Sequence, residues 1–345
     1  MSTEKLRFAI IGLDHWYAAF TLVDALKDHP RIDPVGIADT SEERTRDVAE
    51  RAGVADYTTD LMKYINDASV DAIASFVTVD RNPDIVIAAA EAGKGIVSVK
   101  PFANTLAEGT RIVEAVRKAG VVFIPAETRM RQSELNQHIK GLVDGGQLGE
   151  IVSGNFNLIS SLPQNWPDAP FDGGWWTDPA KVPGGGWIDH AIYQVDRVRW
   201  LLGERIVRVT GRTANLVHKH LAVEDYGHAI LELESGAMFA IEDTWSGPAG
   251  SWRISSVIIG TDGAVSLDTT SPHITTFGIG DEPGWITRPL LEDNLELTDP
   301  LVDHLTGAGQ TSYGGVEDAW ENLAVCLAFY ESARTGKPVD VAQLN

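Results

Sequence analysis

The sequence predicts an α/β chain in two parts: a parallel, doubly wound sheet over residues 1–127, and over 128–345 a second α/β unit built on a large, open, mostly antiparallel sheet. Three observations predict it. From Leu6 to Glu127, short β-branched runs (FAII, PVGIAD) alternate with amphipathic stretches (HWYAAFTLVDAL, SEERTRDVAERAG), which is the rhythm of βαβ units. After Glu127 the chain turns to long alternating segments such as HAILELESGAMFAIEDTW, whose central Ser-Gly marks a hairpin. Finally, 345 residues with 43% hydrophobic content exceed one ordinary core and suit two.

The elements follow in order. Thr40 and Glu43 have capping-box spacing at the start of the second helix, and Gly53, Gly93 and Gly120 each stand just after a helical run, where a left-handed stop is needed. Strands follow at Asp71–Val77, Ile96–Val99 and Val121–Ala126, and six strands with intervening helices match a dinucleotide-binding sheet. Beyond Glu127 the pattern predicts a helix over Gln132–Val143 and a strand over Ile151–Ile159. A loop rich in Trp, Pro and Gly runs on to Gly186, and a helix follows near Trp187–Leu202. A last helix, about 316–334, is expected to pack back toward the N-terminal domain.

Composition excludes several classes. A net charge of −21, with no Lys/Arg-rich run, repels nucleic-acid phosphates and anionic lipid, so neither nucleic acid nor membrane is an expected partner. The sequence has no apolar run of about 18 residues and no secretory leader pattern at its start, so a cytoplasmic location is expected. The single cysteine, Cys326, lies in an apolar helical pattern and is expected to be a buried thiol.

Four groups of residues could carry chemistry. The turn Gly12-Leu13-Asp14-His15-Trp16 follows the first strand, where G-x-G-x-x-G would bring a helix N-terminus to a pyrophosphate; only the first glycine is present, so the Asp14 carboxylate must point away from phosphate. A plain βα turn with Asp14 or His15 opening the helix is the alternative. Asp39 ends the second strand, placed to accept the hydroxyls of an adenine ribose and so to favour NAD over NADP; a solvated turn aspartate is the other reading. Thr78, after the fourth strand, and the pair Lys100-Pro101, after GIVSV, stand at C-terminal strand ends on the ligand side of such a sheet. Asp189, Tyr193 and Asp196 share one face of a helix that follows the flexible run Gly184-Gly185-Gly186. A phenol ordinarily keeps its proton to about pH 10, so a lysine nearby is what would suit one to acid–base work.

These pieces together resemble the glucose-fructose oxidoreductase / inositol dehydrogenase / MocA family. The segments FAIIG, VDAIASFVTV, EAGKGIVSVKPFA, GGQLGEI, GGGWIDHAIYQVD, GTDGAVSLD and LAFYESARTGKPV occur in family order across nearly the whole chain. The resemblance implies an N-terminal Rossmann domain that binds NAD (NADP is less favoured), a C-terminal α/β domain with an open sheet, and homodimers or homotetramers joined through those sheets. It also implies that Lys100 is the family's E-K-P lysine and Asp189 the aspartate of its D-x-x-x-H helix. The chain departs from the pattern at Val99, where the family has Glu, and at Tyr193, where it usually has the catalytic histidine; His190 is a possible substitute, about 100° around the helix from Asp189.

The expected function is therefore an oxidoreductase moving a hydride between a nicotinamide and a secondary alcohol or ketone of a sugar, sugar derivative or cyclitol. Lys100, Asp189 and Tyr193 are the catalytic residues. The cofactor is assigned to Gly12, Leu13, Asp14, His15, Trp16, Asp39, Thr78, Lys100 and Pro101. Substrate contacts are assigned to Arg129, Trp166, Trp175, Trp176 and His190 beside the catalytic three, with Asp168, Asp172 and Asp178 near the aromatic faces. Arg131 could serve the same site or simply pair with carboxylates. A redox-assisted glycosidase or eliminase with retained NAD, and a non-catalytic sugar or NAD sensor, stay open as alternatives. His218, His220, Asp225 and His228 were weighed as a metal site with two histidines on one strand face, but lack a further ligand at informative spacing; no metal is expected.

Overall fold

The protein is described by a computed structural model covering residues 5–271, 273–281, 283–289 and 298–344. The first unit contains strands β1 (Leu6–Ile11), β2 (Ile32–Ala38), β3 (Tyr57–Thr58), β4 (Ala72–Ser75), β5 (Gly95–Ser98) and β6 (Phe123–Pro125). They form one parallel sheet in the order β3-β2-β1-β4-β5-β6. The chain order reverses between β1 and β4, so a crevice opens at their C-terminal ends. The helices are α1 (Trp16–Leu26), α2 (Glu42–Ala52), α3 (Lys63–Asn66), α4 (Asn82–Glu91) and α5 (Leu106–Ala119).

Helix ends follow their local chemistry. Gly53 and Gly120 close α2 and α5 in the left-handed region, as expected. The start of α2 is shifted by one residue from the expected cap: Ser41, not Thr40, accepts the amide of Arg44, because the Asp39 carboxylate holds the Ser41 amide and sets where the helix begins.

The second unit begins with one-turn 3₁₀ structure over Ala126–Gln132, so α6 (Glu134–Asp144) starts later than expected, capped by Ser133. Then come β7 (Ile151–Ile159), α7 (Ile188–Leu202), β8 (Ile206–Ala214), β9 (Tyr226–Leu233), β10 (Met238–Thr244) and β11 (Arg253–Gly260). β12 (Ala264–Asp268), β13 (His273–Phe277), β14 (Trp285–Pro289), α8 (Thr298–Thr306), α9 (Val316–Thr335) and β15 (Val339–Asp340) complete it. Nine strands make one sheet, β14-β13-β12-β11-β7-β10-β9-β8-β15, antiparallel except where β10 runs beside β7. Along β9 and β10, side chains alternate between a buried row (Ala229, Leu231, Phe239, Ile241) and an open row (Ile230, Met238). The buried row packs with α7 and α9.

The last helix serves both units. Trp320, Leu323 and Ala324 belong to the first core, Val325, Cys326 and Phe329 to the second, and the Trp320 indole donates to Thr110 on α5 at 3.0 Å. Cys326 is fully buried, as its apolar context predicts. His218 and His220 lie in the turn after β8 rather than on a strand. That turn exists because the Asp225 carboxylate gathers the backbone amides of Leu216, Val217 and His218. No helix among the described residues is long and apolar enough to cross a membrane.

Candidate active site

The two units meet at Lys100. Its ammonium donates to the Asp189 carboxylate at 2.6 Å and to the Asp189 backbone carbonyl, both groups almost wholly buried. Burial alone would strip the Lys100 proton, but the Asp189 charge, with the Tyr17 and Tyr193 phenols, more than reverses this and raises its pKa above the ordinary lysine value. Asp189 is the mirror case: burial would raise its pKa, yet the His190 ring, the Lys100 ammonium and hydrogen bonds from Lys100 and Trp245 drive it well below the usual range. The pair therefore stays charged across neutral pH. The Trp245 indole holds the second Asp189 oxygen at 3.0 Å, and His190 Nδ1 lies 3.3 Å from it.

Asp189 is placed by the start of α7. The glycine run before it, expected to be flexible, is clamped. A Cβ on Gly184 would lie 2.0 Å from the Tyr330 ring and one on Gly185 would lie 2.2 Å from the Glu224 carbonyl, so only glycine allows the approach. Glu224 then accepts the amides of Gly185 and Trp187 and the Tyr330 hydroxyl. One turn along α7, Tyr193 presents its ring 5.3 Å from the Lys100 Nζ. Asp196, the third residue on that face, instead forms a buried pair with Arg131, which also reaches Asp318 on α9. Arg131 is thus taken up by the Asp196 and Asp318 carboxylates, while Arg129 lies 5.5 Å from the Tyr193 ring and faces the cavity described next.

A cavity of about 510 Å³ opens beside this cluster, lined by Asp189, His190, Tyr193 and Gln194 of α7, by Arg129 and Met130, and by Tyr17 of α1. Trp176, Leu158, Leu162, Phe171, Trp252 and Ile254 form the other side. Although one residue apart on the helix, Asp189 and His190 both reach it. Burial holds the His190 pKa down to about 4, so the ring is neutral at pH 7. Sequence reasoning missed Tyr17, Gln194, Trp245 and Trp252. Tyr17 follows the first turn and Gln194 follows Tyr193 on α7, closely enough for both to have been suspected; Trp245 and Trp252 adjoin β10 and β11, whose pairing no local pattern encodes.

The cofactor stations stand in a row along the crevice. Gly12 has φ +82° and no room for a Cβ, which would sit 2.5 Å from Val77. The Asp39 carboxylate accepts the Leu13 and Ser41 amides at 2.8 and 2.9 Å, so it fastens the turn as well as marking the ribose end. The Asp14 carboxylate accepts the Thr78 amide at 3.2 Å and lies 3.7 Å from the Arg44 guanidinium. The hydroxyl of Thr78 and Nε2 of His15 are buried without a hydrogen-bond partner, and Lys100-Pro101, joined by a cis bond, ends the row. These groups fit a dinucleotide: a bare helix start for the diphosphate, an acid for ribose, and unpartnered polar atoms between.

The Trp loop corrects part of the substrate assignment. Trp166 lies under the Arg44 guanidinium at 4.3 Å and edge-on to Phe20; Trp175 donates its indole N–H to the Asp14 carbonyl and packs 4.9 Å from the His15 ring. Both face the cofactor row, not the cavity. Trp16 is likewise engaged, donating to the Gln164 carbonyl at 2.9 Å. Of the three tryptophans only Trp176 lines the cavity, and it also lies 4.5 Å from His15 and 5.5 Å from Lys100. Asp172 and Asp178 bond backbone amides two residues on, and Asp168 takes a left-handed turn conformation at φ 65°; none of the three lines the cavity. The loop needs these turns to bring its indoles back onto the first unit.

Fold and site together define a two-domain oxidoreductase of the dinucleotide-binding class. A family model described as the oxidoreductase family, NAD-binding Rossmann fold, matches residues 6–127, and one described as the GFO/IDH/MocA C-terminal domain matches residues 136–266. The chain belongs to the Gfo/Idh/MocA family. It is 28% identical over 351 residues to a scyllo-inositol 2-dehydrogenase (NAD(+)) of Bacillus subtilis (strain 168), covering 98% of this chain and 97% of that one. It is 24% identical to a 1,5-anhydro-D-fructose reductase of Ensifer adhaerens, covering 89% and 90%. Among solved structures, levoglucosan dehydrogenase in complex with NADH and L-sorbose shares the fold with a TM-score of 0.84 at 22% identity, covering 99% of this chain and 100% of that one.

Proposed function

We propose that this chain is an NAD-dependent oxidoreductase that interconverts a secondary alcohol and a ketone on a sugar, sugar derivative or cyclitol. The observation that carries the reading is the buried Lys100–Asp189 pair beside Tyr193, at the wall of a cavity large enough for a small molecule. When bound, the nicotinamide supplies or takes up the hydride. Tyr193 exchanges the hydroxyl proton with the substrate oxygen, and Lys100 orients that oxygen and stabilises charge on it. Asp189 keeps Lys100 charged and in place. The Asp39 carboxylate favours NAD, since a 2′-phosphate would meet a like charge. Gly12, Leu13, Asp14, Thr78 and Pro101 line the cofactor row; Arg129 and His190 contact substrate.

The chain works in the cytoplasm as a homodimer or homotetramer, a reading supported by Ile230, Met238, Ile259, Phe277 and Trp285, which are exposed on strands of the open sheet. In a second reading NAD is retained through turnover and the net reaction cleaves a glycosidic bond. Tyr193→Phe tests the first reading in a screen of sugars and polyols followed by nicotinamide absorbance. Turnover should fall by about 10²–10⁴-fold with NADH affinity unchanged. Full turnover in the variant overturns the role of Tyr193, and substrate cleavage without net NADH formation establishes the second reading.

A further inference from the structure

We propose that the ligand of the cavity is a glycoside: a polyhydroxylated ring joined to an apolar, preferably aromatic, aglycone, rather than a free sugar or cyclitol. The inference rests on the reading of this cavity as the substrate site. Its two sides are chemically unlike. The α7 side offers Arg129, Asp189, His190 and Gln194, and among these Arg129 Nε and Gln194 Oε1 are buried without a hydrogen-bond partner. Such atoms call for ligand hydroxyls.

The facing side offers Leu158, Leu162 and Ile254, with Met130 beside them. Of the two serines on that side, the Ser160 hydroxyl is already turned to the Thr244 carbonyl and Ser161 to the Leu162 carbonyl. A cyclitol carries a hydroxyl on every ring carbon and no apolar substituent, so its C–H face covers only part of these aliphatic groups and the rest of the apolar lining forgoes burial. A glycoside avoids that loss by setting its ring hydroxyls toward α7 and its aglycone away from them.

The cavity also has an aromatic rim suited to an aglycone. Phe171 is 49% exposed and Trp252 51% exposed, and neither belongs to a hydrophobic core among the described residues. Trp252 meets the His190 ring edge-on at 4.7 Å, which holds the indole next to the polar side. Two large exposed aromatic side chains at one cavity are an apolar surface awaiting a flat partner. The volume, about 510 Å³, lies in the range of about 300–1,000 Å³ that takes ligands larger than one sugar ring.

The test is calorimetric titration of the NADH-loaded protein with phenyl β-D-glucopyranoside, phenyl β-D-galactopyranoside, D-glucose, D-galactose and myo-inositol, with hydride transfer followed in parallel samples. At least one phenyl glycoside should bind about tenfold or more tightly than its free sugar and than myo-inositol, the factor expected for burying an aromatic ring. Replacing both Phe171 and Trp252 with Ala should erase that advantage. The proposal is overturned if a free sugar or myo-inositol binds as tightly as the phenyl glycosides, if neither phenyl glycoside binds, or if the advantage survives in the double variant. Turnover separates the two readings. Hydride transfer from myo-inositol without aryl preference sinks the glycoside and keeps the oxidoreductase; aryl preference without hydride transfer from any ligand does the reverse.

Discussion

The cofactor row and the substrate cavity share one wall, Trp176, and are finished in opposite ways. From Asp39 to Lys100 the row is closed by the chain itself: Trp166 covers Arg44, Trp175 covers Asp14 and His15, and Trp176 covers Lys100. The cavity on the other side of Trp176 stays open, with unpartnered polar atoms at its inner side and half-exposed aromatics at its rim. The Trp loop packs along the strip where a dinucleotide is expected to lie, whereas the cavity is left open. The difference teaches that the altered turn, with Asp14 and Tyr17 where G-x-G-x-x-G has its later glycines, is matched to the loop that packs on it.

The largest effect should come from the residue on the border. Lys100→Met should lower turnover by about 10²–10⁴-fold. It should also cost about 3–5 kcal/mol of stability, because the Asp189 carboxylate is left buried without its cation. In the double variant Lys100→Met/Asp189→Asn, the melting temperature should recover while turnover stays lost. If stability does not change in the single variant, the pair is not the joint between the two regions.

On the open side, neutral His190 gives stability a pH dependence of definite sign. Its folded pKa, about 4, lies below the ordinary 6.5, so between those values the unfolded chain binds a proton that the folded chain refuses. Stability is full above about pH 6.5 and falls as pH drops toward 4, by about 3 kcal/mol from this group. His190→Gln should flatten that acid limb in urea titrations at pH 7 and 4.5; an unchanged slope would place the effect elsewhere.

On the closed side, Asp39→Ala should destabilise the cofactor-free protein by about 1–3 kcal/mol, since the Leu13 and Ser41 amides lose their acceptor. A variant as stable as the parent would leave Asp39 with a ligand role alone. The smallest effect expected is a gain. Trp166→Ala/Trp175→Ala should open the row and tighten the apparent NADH affinity about tenfold, with faster association in stopped-flow fluorescence. Weaker binding would show that these indoles help to hold the dinucleotide rather than exclude it.

Much of this architecture is local in origin and was legible without coordinates. Apolar periodicity placed five of the six parallel strands, the hairpin of β9 and β10, and the helix carrying Asp189 and Tyr193, because burial of one face dictates that spacing; the two-residue β3 is too short to show a period. Gly53 and Gly120 announced helix ends because only a residue without Cβ adopts that backbone cheaply. Lys100 and Asp189 were identifiable because each follows a recognisable element boundary. The errors fell where the deciding partner was distant. Ser41 rather than Thr40 caps α2 because of Asp39, and the glycine run before α7 is rigid because Glu224 and Tyr330 press on it.

What the sequence by itself determined is therefore the two sheets, their order along the chain and the identity of the central ionic residues, all set by patterns within a few residues of each other. The tertiary structure alone decided which tryptophans face cofactor and which face substrate. It separated Arg129 from Arg131, and it brought Gln194 and Trp252 to one cavity. Those choices depend on how a loop from the second unit returns to the first turn and on how β7 and β11 pair. Both are long-range events, and no local spacing of residues encodes where a chain will land once two cores have packed.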